Sequence, residues 1–308
     1  MTVPMPHHYE DVPSAGTVRL ATDVSHYLSE GPVWDGIRDR ILWVDIMSGT
    51  VHAGRLSPDG TIRAEERYDF PDTAGAVAVA ATGELVVAGR HRLYFRSVDG
   101  AVRAGPELIA GQDRRFNDGK PDPRGRFVVG TLGPGGGELL MRVDGDRVSV
   151  LDDDLTLSNG LAWSTDGSRF YSIDTWSKRI HVREYDATTG ATGRRELFAE
   201  FEHGSPDGMT TDAEDHLWVA MWGEGCVLRI SPGGRIVARV DVPAPHTTCA
   251  QFAGPDLDTL VITTATEHLS AEQLRANPLS GRLFTVRPGV RGNPPYLWNG
   301  RGSEANSP

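Results

Sequence analysis

The chain has 308 residues, 39% of them hydrophobic, with 36 glycines and 20 prolines, a composition suited to one continuous domain of short strands and tight turns. A net charge of −11 argues against a nucleic-acid partner, and no apolar run is long enough to span a bilayer. Two cysteines, Cys226 and Cys249, are too few for a disulfide framework, and residues 1–14 carry no apolar signal-peptide core, so a reduced, cytoplasmic protein is expected.

Residues 1–16 read as an N-terminal extension and residues 17–308 as the folded domain. The stretch Thr17 to Val24 is extended with no partner of its own, and is expected to pair into the last unit and close a ring. The first unit opens at Leu28 with Ser29-Glu30-Gly31-Pro32-Val33-Trp34, turns, and continues as strands over 41–46 and 51–56. The second begins near Ala74-Gly75-Ala76-Val77, with strands over 85–88 and 92–97. The third opens at Arg114 to Lys120 and carries strands over 126–131 and 138–143, joined by a Gly-rich stretch, 133–137, read as a flexible rim loop. The fourth, Ser158-Asn159-Gly160-Leu161-Ala162-Trp163, leads to strands over 170–174 and 179–185. The fifth, Ser205-Pro206-Asp207-Gly208-Met209, leads to 217–221 and 226–230. The sixth, around Thr247 to Phe252, is followed by a strand over 259–264, a short helix over 270–276 with Ser270 as N-cap, and a strand over 281–286.

These units recur at roughly 42–48 residues, the spacing of propeller blades, each a small sheet that cannot bury both faces alone. The fold class is therefore all-β, a six-bladed β-propeller in a single domain; a β-sandwich is the plain alternative. Glu30, Asn117, Asn159 and Asp207 fall at equivalent points of the repeat. A propeller gathers such points around one axis, where polar residues are poor packing material. Taken singly, each is more simply turn chemistry. Taken together, two carboxylates and two amides form a ring of oxygen donors that a divalent cation would reconcile, with calcium, magnesium or manganese suited and zinc less so. Arg115 and Lys120 flank Asn117 and are placed at the same mouth, and Asp118 is expected to brace the turn. His203 and His246 lack a second histidine at ligand spacing, and Cys249 reads as a buried structural thiol.

On these residues the chain resembles the SMP-30/gluconolactonase/regucalcin-like family. The matching stretches are SEGPVW at 29–34, LWVDI at 42–46, RFNDGKPDPRGRFVVGTL at 115–132, SNGLAWS at 158–164, PDGMTTDAEDHLWVA at 206–220 and the segment 247–252. The resemblance implies a six-bladed propeller holding one catalytic divalent metal through Glu30, Asn159 and Asp207. It also implies that Arg115 and Asn117 contact substrate, with Asn117 at the metal or joined to it through water. Calcium or zinc is the metal expected, with manganese, magnesium and iron as alternatives. The chain departs from the family after Leu132: Gly133-Pro134-Gly135 stands where some members carry an acidic substrate-contacting residue.

The expected activity is hydrolysis of a sugar lactone to the aldonic acid, the metal polarising the carbonyl and Asp207 activating water. Two other classes remain open at this point: a phosphotriester hydrolase using the same metal site, and a non-catalytic calcium-binding scaffold. The expected partner is a small-molecule lactone, with the chain a monomer or weak homo-oligomer.

Overall fold

The computed structural model describes residue 9 and residues 11–301. After β1 (Arg19–Leu20), the first blade comprises β2 (Ser29–Asp35), β3 (Arg40–Asp45), β4 (Thr50–Leu56) and β5 (Ile62–Asp69). The second contains β6 (Ala76–Val79), β7 (Leu85–Ala88), β8 (Arg92–Arg96) and β9 (Val102–Glu107). In the third are β10 (Arg115–Pro121), β11 (Phe127–Leu132), β12 (Glu138–Asp144) and β13 (Arg147–Leu155), and in the fourth β14 (Ser158–Trp163), β15 (Arg169–Asp174), β16 (Arg179–Glu184) and β17 (Glu196–Glu200). The fifth is built from β18 (Ser205–Thr211), β19 (Leu217–Trp222), β20 (Cys226–Ile230) and β21 (Ile236–Asp241). The sixth joins β22 (Thr247–Ala253), β23 (Thr259–Thr264) and β24 (Phe284–Val286) to β1, with helix α1 (Ala271–Ala276) between β23 and β24.

Six four-stranded antiparallel sheets thus form the expected propeller, in one domain. Closure follows the expected route: Arg19 and Leu20 pair with Thr285 and Phe284, so the start of the chain supplies the outermost strand of the last blade. The helix keeps its expected N-cap, Ser270 Oγ accepting from Gln273 N at 3.2 Å while the Gln273 side chain accepts from Ser270 N.

Two expectations about strands need correction. Each of the first five blades has a fourth, outer strand that the three-strand reading missed; β5 shows why, because only Ile62 and Tyr68 of its eight residues are buried. The last strand is shorter than 281–286, running only over Phe284–Val286. The extension over residues 1–16 lies partly outside the described residues, but its visible end is docked. Tyr9 is buried and donates to His203 O at 2.9 Å, and Ala15 N and Pro13 O bond across to Arg239 on β21.

The core is divided in a way that suits this architecture. Six apolar clusters each fill one gap between neighbouring blades. The gap between the third and fourth blades shows the pattern in miniature: Val128 and Leu140 of the third meet Trp163 and Phe170 of the fourth. Stacking neighbours in this way buries the face that each thin sheet leaves open.

The inner strands all run in one direction, so their starts gather at one end of the axis and their ends at the other. The far end is crossed by the C-terminal segment. Asn293, Pro294, Pro295 and Tyr296 line a small cavity there of about 60 Å³ with Lys120, Thr210 and Gln251, and Trp298 stacks on Phe95. The other end is open and carries the site. No helix among the described residues is long and apolar enough to cross a membrane.

Candidate active site at the axial mouth

Glu30, Arg115, Asn117, Asn159 and Asp207 all line one cavity of about 240 Å³ at the open end. Each is at most 8% exposed. The sequence repeat therefore places in space what it places in phase, although the roles of these residues are a separate matter.

Local backbone geometry presents the side chains. The pairing of β2 with β3 shifts between Glu30 and Val33, that of β10 with β11 between Phe116 and Gly119, that of β14 with β15 between Asn159 and Leu161, and that of β18 with β19 between Pro206 and Met209. A bulge bends the strand and re-aims the residue beside it, and here each coincides with a polar site residue. Gly31 at the first bulge has φ 48° and donates its N–H to Glu30 Oε2 at 2.7 Å. The sixth blade repeats the shift at Thr247/Cys249, but Thr248 is occupied by a bond to Ser29 O at 2.7 Å. The second blade has Gly75 at this level, where a Cβ would lie only 2.5 Å from Asn117 O. Four blades contribute side chains inward, and two close the ring.

The polar groups are arranged in two linked sets. Arg115 Nη1 donates to Asn117 Oδ1 at 2.7 Å and to Phe116 O at 3.0 Å, and Asn117 Nδ2 donates to Ser158 O at 3.2 Å. Asn159 Nδ2 donates to Asp207 Oδ1 and, at 3.2 Å, to Thr175 Oγ1, which in turn donates to Pro206 O at 2.8 Å. Asn159 Oδ1, by contrast, is buried without a hydrogen-bond partner among the described residues.

The electrostatics are strained in the same place. Burial, with the nearby Asp118 charge, pushes the Glu30 carboxyl up to about 8. Burial, then the charges of Glu30 and Asp118, raises Asp207 well above the usual carboxylate range. Burial lowers the Arg115 guanidinium to about 10 despite the neighbouring carboxylates. Two buried carboxylates beside an unpaired amide oxygen form an acceptor-only cluster, which is the donor chemistry of a hard divalent cation. Among the described residues, no three side chains drawn from His, Cys, Asp and Glu form a metal-holding group, so such a centre would need the amide as well.

Other expected positions resolve differently. Lys120 does not reach the mouth: it lines the far cavity and donates to Met209 O at 2.5 Å. Asp118 does brace its bulge, accepting from Gly119 N at 2.7 Å. The stretch 133–137 is a turn tied down by Arg114, which bonds Gly137 O at 3.2 Å and pairs with the buried Glu138 at 3.1 Å. His246 stacks on Trp222 and bonds Glu267 O at 2.8 Å through Nδ1. Cys249 is fully buried, and a Cβ on Gly208 would collide with its sulfur, consistent with a packing role.

The rest of the cavity wall was missed. Thr175, Trp176, Trp222, Glu267 and His268 line it, all at or just after the end of a blade's second strand. Second strands run back to the mouth, so the residues at their ends were the available signal. Asp45 and Asp174, at the ends of β3 and β15, are related. Asp45 Oδ1 accepts from Leu28 N at 3.1 Å, and Asp174 Oδ1 accepts from Leu157 N at 3.1 Å, fixing the approach to Glu30 and Asn159 respectively.

Residues 28–266 match the family model described as the SMP-30/Gluconolactonase/LRE-like region. The chain belongs to this family. Among its relatives, a 6-deoxy-6-sulfogluconolactonase of Pseudomonas putida is 37% identical, covering 90% of this chain and 96% of its own length. Pentonolactonase XacC of Haloferax volcanii is 36% identical, covering 81% of this chain and 85% of its own. Among solved structures, a calcium-binding protein, regucalcin, from Agrobacterium tumefaciens superposes with a TM-score of 0.85 at 32% identity, covering 93% of this chain and 98% of that one.

Proposed function

We propose that the chain hydrolyses a sugar lactone to the open-chain aldonic acid at the axial mouth. The observation that carries this reading is the division of one cavity into a cluster of acceptor oxygens, the Glu30 and Asp207 carboxyls and Asn159 Oδ1, and a donor-bearing pair, Arg115 and Asn117. Relatives named as lactonases support the same reaction class.

The acceptor cluster would hold one divalent cation, calcium or zinc first, with manganese, magnesium or iron as alternatives. When bound, that ion supplies Lewis-acid polarisation of the lactone carbonyl. Asp207 accepts the Asn159 bond at Oδ1, and Oδ2 has no hydrogen-bond donor among the described residues. Beside that positive charge Asp207 would be ionised despite its burial, and its Oδ2 takes a proton from the attacking water as the water oxygen bonds to the carbonyl carbon. The ring C–O bond then breaks, and the same carboxyl returns the proton to the departing ring oxygen. Atoms balance as lactone plus water giving one hydroxy acid. Arg115 and Asn117 orient the substrate, and the Arg115–Asn117 bond pre-sets both side chains for that task.

A panel of aldonolactones assayed beside an aryl phosphotriester and a simple aryl ester tests the reading. Turnover of at least one aldonolactone well above that of the other two is expected. A preference for the phosphotriester, or inactivity on every lactone, overturns it.

A further inference from the structure

Glu267 is a carboxylate at the mouth that the proposed chemistry does not use. It lies in the loop between β23 and α1, and several bonds hold that loop. Its N–H donates to Tyr27 O at 3.0 Å, its carbonyl accepts from His246 Nδ1 at 2.8 Å, and Leu269 N closes a turn onto Thr266 O at 3.1 Å. The capping box at Ser270 anchors the far side of the loop. The backbone that carries Glu267 is thus defined from both ends.

Its side chain lines the same cavity as Arg115 and is only 18% exposed. Among the described residues, the carboxylate receives no hydrogen bond, and its only ion-pair neighbour is the exposed His268 at 4.0 Å. Arg115 is in the complementary position. Its bonds to the described residues all use Nη1, leaving Nε and Nη2 without a partner there, and none of their carboxylates lies within ion-pair distance of it. After burial itself, Glu267 is the strongest electrostatic influence on Arg115, ahead of Glu30 and Asp207, so the two groups face a common space. Trp222, stacked on His246, forms the wall beside Glu267.

A free acceptor and a free donor lining one cavity of about 240 Å³ suit a ligand that both donates and accepts hydrogen bonds, as the hydroxyl groups of a sugar do. A charged acceptor also repels an anionic substituent placed against it. We propose that Glu267 is the specificity-determining residue of this site, accepting hydrogen bonds from ring hydroxyls gripped on their other side by Arg115, and selecting neutral polyhydroxylated lactones. The inference rests on the lactonase reading above and names the substrate class within it.

The test compares wild type, Glu267→Gln and Glu267→Ala on three probes: glucono-1,5-lactone, δ-valerolactone and a glucarolactone, which carries a free carboxylate. Both variants should lower the kcat/KM ratio of gluconolactone over valerolactone by about tenfold or more, chiefly through KM. They should also narrow the discrimination against the glucarolactone, because removing the charge removes the repulsion; simple loss of packing would not do this. A ratio unchanged from wild type, or equal losses on all three probes, overturns the role of Glu267 while leaving the lactonase reading intact. Wild type inactive on these and on every aldonolactone of the panel overturns both, and where another aldonolactone is turned over best it takes the place of gluconolactone in the ratio.

Discussion

Asn159 donates from Nδ2 to Asp207 Oδ1 across the boundary between the fourth and fifth blades, and this leaves its own Oδ1 buried without a partner among the described residues. One amide therefore does two things: it orients the carboxylate proposed as base and offers a further oxygen to the same space. Asp207→Asn keeps the shape of this arrangement but removes the proton acceptor. Lactone turnover should fall by about 10²–10⁴-fold, the usual contribution of a positioned acid–base group. Because burial raises Asp207 well above the usual carboxylate range, a neutral amide there replaces a group that resists ionisation, and the chelator-treated variant should melt no lower than wild type at neutral pH. Steady-state kinetics and thermal denaturation check the two halves.

Glu30 gives a pH signature. Its folded value, pushed up to about 8 by burial and by Asp118, lies above the ordinary 4.5. Between those values the native state of chelator-treated protein holds a proton that the unfolded state releases. Stability from this group is complete below the unfolded value and is lost as pH rises through about 8. Denaturant unfolding of chelator-treated protein, followed from mildly acidic to mildly alkaline pH, should show stability falling toward the alkaline side, and Glu30→Gln should flatten the slope.

Asp212 tests what holds the blades rather than the chemistry. Fully buried, its carboxylate accepts from Glu214 N at 2.9 Å, His216 N at 3.0 Å, Trp218 Nε1 at 3.0 Å and Arg229 Nε at 2.8 Å. Asp212→Ala leaves the buried Trp218 indole and the Glu214 and His216 N–H groups without their acceptor, while Arg229 keeps its bond to Glu214 at 2.7 Å, and should cost about 1–3 kcal/mol in urea unfolding. Turnover per folded molecule should be unaffected, since Asp212 belongs to the far end of the axis.

How much of this was legible follows from where each residue sits. The inner strands announce themselves because a buried strand beginning with Glu30, Asn117, Asn159 or Asp207 breaks its apolar pattern at the bulge. The outer strands do not: β5 reads Ile62-Arg63-Ala64-Glu65-Glu66-Arg67-Tyr68-Asp69, whose exposed charges guard a sheet edge and erase the alternation. Lys120 was misplaced because sequence proximity was taken for spatial proximity. At about 3.3 Å per strand residue, three positions beyond Asn117 carry it roughly 10 Å down the axis. Glu267, His268, Trp176 and Trp222 were missed for another reason. They stand at or just after the ends of second strands, where no repeated cue marks them, and only the folded ring brings them to the mouth.

The ring of Glu30, Asn159 and Asp207 is proposed to make lactone hydrolysis depend on a bound divalent ion. The most direct measurement is lactone turnover by protein stripped with a chelator, then titrated with single divalent metals while metal content is measured by elemental analysis. Turnover should fall to the uncatalysed background on stripping and return in proportion to metal bound, saturating near one equivalent, while Glu30→Gln and Asn159→Ala proteins bind more weakly. Undiminished turnover by protein carrying only a trace of any divalent metal would contradict it.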